Sequence, residues 1–257
     1  MNTKMKVLSL ALIGLCGYAG SALAVCPTDP AQPIGAWSAK TVAADATLAI
    51  TTPGLGTPAT ACKLDVSVNA GALSNTKALV TDNSPNNEAR YRARFYFSTA
   101  ALTGLTVSNQ QAKIFNASAT SSPTGASPSE VTINILGNAA SPAIRMQIAD
   151  AAQPSKFKTV TAVLPASATH NYYVEFDLTQ GPATPTNNFR YWVADAATAT
   201  SDTTPTGMAT VDTTGWTGVK SVNLGLFATT AGFRAGVAGQ VLSVDQFDSR
   251  RQTFIGQ

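Results

Sequence analysis

Arg90-Tyr91-Arg92-Ala93-Arg94-Phe95-Tyr96-Phe97-Ser98 alternates along its length: Tyr91, Ala93, Phe95 and Phe97 fall on one side, and Arg90, Arg92, Arg94 and Tyr96 on the other. A period of two is that of an extended strand half sunk in a core; a helix would wind both sets around its axis. The pattern recurs outward in both directions. Residues 63–69 set Leu64, Val66 and Val68 on one face. Further strand-like runs cover 113–117, 131–136, 143–149, 157–164, 170–179, 189–195, 219–228 and 240–249, with short edge strands predicted at 34–38 and 47–51. Clusters of Gly, Pro, Asn, Ser and Thr separate them. No helical segment stands between them to carry parallel crossovers, so the connections are expected to be antiparallel. About a dozen such strands predict an all-β fold, a sandwich or barrel. Residues 116–130, 180–188 and 195–215, rich in Thr, Ser, Pro and Ala, read as exposed loops.

The ends of the chain address its compartment. Lys4 and Lys6 precede an apolar run from Val7 to Cys16, and small residues follow to Ser21-Ala22-Leu23-Ala24. This is the layout of a cleaved signal peptide over 1–24, leaving 25–257 as one β-sandwich domain. The apolar run is short for a bilayer span, which needs about 20 residues, so membrane insertion is not expected. The destination is secreted, periplasmic or at the cell surface. Leu23-Ala24-Val25-Cys26 also approaches a lipid-attachment box, but bulky Val25 stands where a small residue is wanted.

The chain carries 17 basic and 14 acidic residues; losing Lys4 and Lys6 leaves 15 against 14, a charge of +1. Such a balance gives no field to hold nucleic acid. Cys26 and Cys62 survive cleavage, and in an oxidising compartment they are expected to pair, contributing roughly 3–4 kcal/mol. No cofactor is implied, and no metal site is specified; a structural calcium near Asp245 or Asp248 has nothing in the sequence to support it.

Asp82-Asn83-Ser84-Pro85-Asn86-Asn87-Glu88-Ala89-Arg90-Tyr91-Arg92-Ala93-Arg94-Phe95-Tyr96-Phe97 resembles a segment of bacterial secreted domains in the concanavalin A-like lectin/glucanase group. The end, Phe247-Asp248-Ser249-Arg250-Arg251-Gln252-Thr253-Phe254-Ile255-Gly256, resembles their closing stretch. His170 to Leu178 and Phe189 to Val193 resemble a strand and its hairpin return. The resemblance implies a jelly roll of two curved antiparallel sheets and a bacterial source. It leaves activity open, because one fold hosts many functions.

Glu175-Phe176-Asp177 in one strand puts both carboxylates on the same face, roughly 7 Å apart. Glucanases of the group use Glu-x-Asp-x-x-Glu, and here Gln180 stands where the third acid belongs. An amide cannot serve as acid or base, so hydrolysis is disfavoured, and pairing of Glu175 and Asp177 with arginines on neighbouring strands is expected. Arg92, Arg94 and Tyr96, with Tyr173, Arg190 and Trp192, form with these acids the candidate ligand-binding face. Guanidinium forks and aromatic rings suit a sugar polymer. A lyase would draw on Arg92, Arg94 and Gln147, but Gln147-Ile148 is followed by Ala149, so the Gln-Ile-His signature of alginate lyases is missing, as is their Tyr-x-Lys-x-Gly. The lone His170, at a strand start, reads as a turn residue. The leading expectation is therefore a non-enzymatic exported module that binds a carbohydrate or surface polymer. A lyase or hydrolase is the alternative, and a structural component of the cell surface the third.

Overall fold

The computed structural model describes residues 26–56, 61–139, 141–183, 186–198, 204–250 and 255. The predicted signal peptide lies outside the described residues. Among the described residues, fourteen strands form two seven-stranded antiparallel sheets. The first sheet is ordered β1 (Ala39–Val42), β4 (Ala78–Asp82), β13 (Val219–Thr229), β6 (Gln111–Ala119), β7 (Ser129–Leu136), β8 (Ala143–Ala149), β9 (Phe157–Val163). The second is ordered β12 (Gly207–Ala209), β11 (Phe189–Asp195), β10 (Asn171–Thr179), β5 (Arg90–Ser98), β14 (Leu242–Arg250), β3 (Lys63–Val68), β2 (Ala46–Thr51).

The inward positions that alternation assigned meet in one core. Tyr91, Ala93, Phe95 and Phe97 from β5 and Tyr172, Val174 and Phe176 from β10 lie against Phe115, Ile133, Met146 and Leu224 of the first sheet. Phe95 stacks on Phe115 with ring centroids 5.5 Å apart, and Phe176 meets the same ring edge-on at 5.3 Å. Burying aromatics of this size dominates core energetics, and the tilted geometries add about 1 kcal/mol per pair.

Three strands and a helix escaped sequence reading. The edge strand expected at 34–38 is instead a turn closed by a bridge between Ala31 and Trp37, and the strand begins at Ala39. β4 is a short apolar run without alternation, because as an inner strand it packs Ala78, Leu79 and Val80 on both sides. β12 spans only Gly207–Ala209, inside the stretch taken as a loop. The helix α1, Ala231–Val237, has Thr230 as its N-cap and sinks Phe233 and Val237. The loop expected at 116–130 is shorter, since Asn116–Ala119 continues β6 and Ser129 opens β7.

Cys26 and Cys62 form the expected disulfide, tying the start of the described chain to the residue before β3. His170 sits exposed at the turn before β10, at φ 56°, as its position implied.

Candidate functional site

Cross-strand register brings the eight residues of the predicted face together on the outer side of the second sheet. In β10, Tyr173, Glu175 and Asp177 lie opposite Tyr96, Arg94 and Arg92 of β5. On the other flank Glu175 and Asp177 face Trp192 and Arg190 of β11. Asp177 accepts both Nε and Nη2 of Arg90, at 3.0 and 2.8 Å, and Nη2 of Arg190 at 2.7 Å. Burial alone would raise the Asp177 carboxyl, but the bonds from Arg90 and Arg190 outweigh it and hold the group below its usual value. Glu175 accepts from Arg92 Nε and Tyr173 Oη. The Arg92 guanidinium lies 4.6 Å from the Trp192 ring centroid. The pairing of both acids with strand-borne arginines is as the sequence implied.

This face is closed. Glu175 is 0% and Arg92 1% exposed. Leu55 and Ala196 pack on Tyr96, Tyr173 and Trp192, and the Ile255 amide donates to Glu175 Oε1 at 3.1 Å. Burial raises the hydroxyl pKa of Tyr173 first, and its bond to Glu175 raises it further. Arg190, at one edge, is the partly exposed member; a ligand reaches the other seven only if the covering segments move.

The outer side of the first sheet is built differently. Thr81 of β4, Asn223 of β13, Asn116 of β6, Thr132 of β7, Gln147 of β8 and Thr159 of β9 stand directly opposite one another, strand by strand. They form one row of amides and hydroxyls across six strands. Thr81 Oγ1 donates to Asn223 Oδ1 at 2.8 Å, and Thr132 Oγ1 to Asn116 Oδ1 at 2.9 Å. A second row, Lys113, Asn134, Arg145 and Thr161, runs beside it. Burial lowers the Lys113 ammonium pKa below its ordinary value, and Lys113 Nζ lies 5.5 Å from the Phe227 ring centroid. Phe227 reaches that place because β13 bulges between Leu224 and Ala228. At Gly225 in that irregularity, φ is +131° and a Cβ would stand 2.4 Å from the Ala78 carbonyl oxygen, so only glycine fits. Among the described residues, the strands of this sheet carry two carboxylates, Asp82 at the end of β4 and Glu130 near the start of β7, where Glu130 is buried and accepts from Gln180.

No protein-family model matches the sequence, and no curated protein matches it. Solved structures do. An endo-β-1,4-glucuronan lyase from the fungus Trichoderma reesei superposes with a TM-score of 0.54 at 16% identity, over 84% of this chain and 91% of that one. An alginate lyase from Pseudomonas aeruginosa gives 0.50 at 10% identity, over 80% and 98% of the two chains. The chain is a concanavalin A-like jelly roll. At such identities the likeness is one of fold.

Within this jelly roll, the residues a lyase reading would combine are parted. Gln147 lies on the outer face of the first sheet, while Arg92 and Arg94 lie on that of the second. Gln180, in the place of a third acid, sits just beyond β10 and donates to Glu130 of β7. The polar rows of the first sheet escaped sequence reasoning, although their signal was present. Asn116, Thr132, Asn134, Arg145 and Gln147 alternate with buried apolar residues in β6, β7 and β8, but no strand reveals its neighbour's register. Among the described residues no group of three or more His, Cys, Asp or Glu could hold a metal ion, and no helix is long and apolar enough to cross a membrane.

Proposed function

We propose that this chain is an exported carbohydrate-binding jelly roll that holds a polysaccharide along the outer face of its first sheet. The observation that carries the reading is the six-strand row from Thr81 to Thr159, side chains able to donate and accept, buried at Asn116 and Thr132, partly exposed at Thr81, Asn223 and Gln147, and exposed at Thr159. Sugar hydroxyls need such mixed partners, spaced by the roughly 4.8 Å between strands. Phe227, partly exposed and set against Lys113 of the second row, offers a ring for a pyranose. The fold neighbours, named as lyases of glucuronan and alginate, add a class of partner.

Those same names support cleavage as the second reading. On the first-sheet face the titratable group with a depressed proton affinity is Lys113, which a cleavage mechanism would need as its base.

The test is a binding screen of the secreted protein against neutral and acidic polysaccharides, with reducing-end and unsaturated-end assays in parallel. Saturable binding without product is expected. Gln147→Ala and Asn223→Ala should each weaken binding roughly ten-fold by leaving a sugar hydroxyl unpaired. Binding indifferent to both substitutions overturns the first-sheet placement. Product formation abolished by Lys113→Met replaces binding with cleavage.

A further inference from the structure

Five of the strand-borne cations discussed above divide sharply by face. On the second sheet Arg90, Arg92 and Arg190 all pair with Glu175 or Asp177. On the first sheet Lys113 and Arg145 take part in no ion pair among the described residues. They flank Asn134, which stands directly opposite both in the register of β6, β7 and β8. Directly opposite residues in a sheet have Cβ atoms about 5 Å apart, so the three side chains share one spot.

Two N–H donors at that spot have no acceptor among the described residues. Asn134 is 7% exposed and its Nδ2 makes no hydrogen bond; Arg145 Nε is buried and equally unsatisfied. Native structures leave few such groups unpaired. Arg145 is held by a neutral partner, donating from Nη2 to Gln111 Oε1 at 2.7 Å, which aims the guanidinium without cancelling its charge. A hydroxyl would satisfy the N–H groups but leave two half-buried positive charges uncompensated. An oxyanion answers both needs, since its several oxygens accept from N–H donors while its charge offsets the cations.

We infer that Lys113, Asn134 and Arg145 form an oxyanion subsite that takes a carboxylate or sulfate ester carried by the bound polysaccharide. The inference rests on the first-sheet reading of function and narrows it to acidic polymers.

The test measures binding of the full secreted chain to dextran, polygalacturonate and dextran sulfate. At least one polyanion should bind roughly ten-fold tighter than dextran, and which one does so separates carboxylate from sulfate. The preference should vanish in Lys113→Met and in Arg145→Met, and persist in Lys77→Met, a charge-matched change at an exposed position. Asn134→Asp is nearly isosteric and places a counter-ion between the two cations. It should raise the melting temperature while abolishing polyanion preference, two effects that misfolding cannot produce together. Equal binding of all three polymers, unchanged in Lys113→Met, removes the subsite and leaves the glycan reading standing. Binding of none removes both, and a fall in melting temperature for Asn134→Asp overturns the subsite whatever the polymers do.

Discussion

Glu130 is 0% exposed, and its Oε2 accepts a hydrogen bond from Gln180 across the end of the sandwich. Burial pushes the carboxyl up to about 7, against the opposing effect of the Gln180 bond. A carboxyl whose folded value lies above its unfolded one binds a proton more tightly when folded. Its contribution to stability is therefore complete below about pH 4, declines as pH rises toward 7, and stays lost above. The loss is of order 3 kcal/mol. Glu130→Gln keeps an acceptor for Gln180 and cannot ionise. The variant should match the parent near pH 5 and exceed it near pH 8 in urea denaturation midpoint. Parallel pH profiles for the two proteins would show that Glu130 is not the group responsible.

Strands β5 and β10 show what alternation can and cannot deliver. Their bounds at Arg90–Ser98 and Asn171–Thr179 follow from a strict period of two, and so does the sharing of a face by Arg92, Arg94, Glu175 and Asp177. Their closure was not legible, because it depends on Leu55 and Ile255, far away in sequence, and on Ala196 just past β11, none of which carries a charge to betray the contact. That closure sets the energetics of the two ion pairs apart. Arg92 is 1% exposed, so Glu175→Gln leaves a buried guanidinium short of negative charge and should cost about 3 kcal/mol or more. Asp177 is paired most closely with Arg90 and Arg190, whose side chains are 34% and 32% exposed and can turn to water, while the buried Arg92 lies farther off at 3.8 Å and keeps Glu175 as its nearer partner. Asp177→Asn should accordingly cost about 1 kcal/mol. Equal losses for the two substitutions, measured by chemical denaturation, would contradict the difference in burial.

Across the whole molecule, the jelly-roll class and the Cys26–Cys62 bond were both within reach of the sequence, while the choice of outer face was not. Both sheets alternate polar and apolar residues, and only pairing order decides that six polar positions from β4 to β9 line up into one row. The disulfide shows the same dependence on the assembled fold. It joins residues 36 apart and holds the segment before β1 against the start of β3, in the second sheet, while β1 itself edges the first. Closing a loop of that length removes unfolded-chain entropy equivalent to about 4 kcal/mol. For a domain of this size each kcal/mol moves the melting temperature by roughly 2–4 °C. Cys26→Ser with Cys62→Ser should thus lower it by roughly 10 °C, and a reductant should bring the parent down to the same value. Because the stabilisation acts through the unfolded chain, polysaccharide binding below the transition should be unchanged in the double variant. A melting temperature that falls while binding also fails would show instead that the bond shapes the folded sheets, and that the first-sheet face depends on the anchorage of the chain's start.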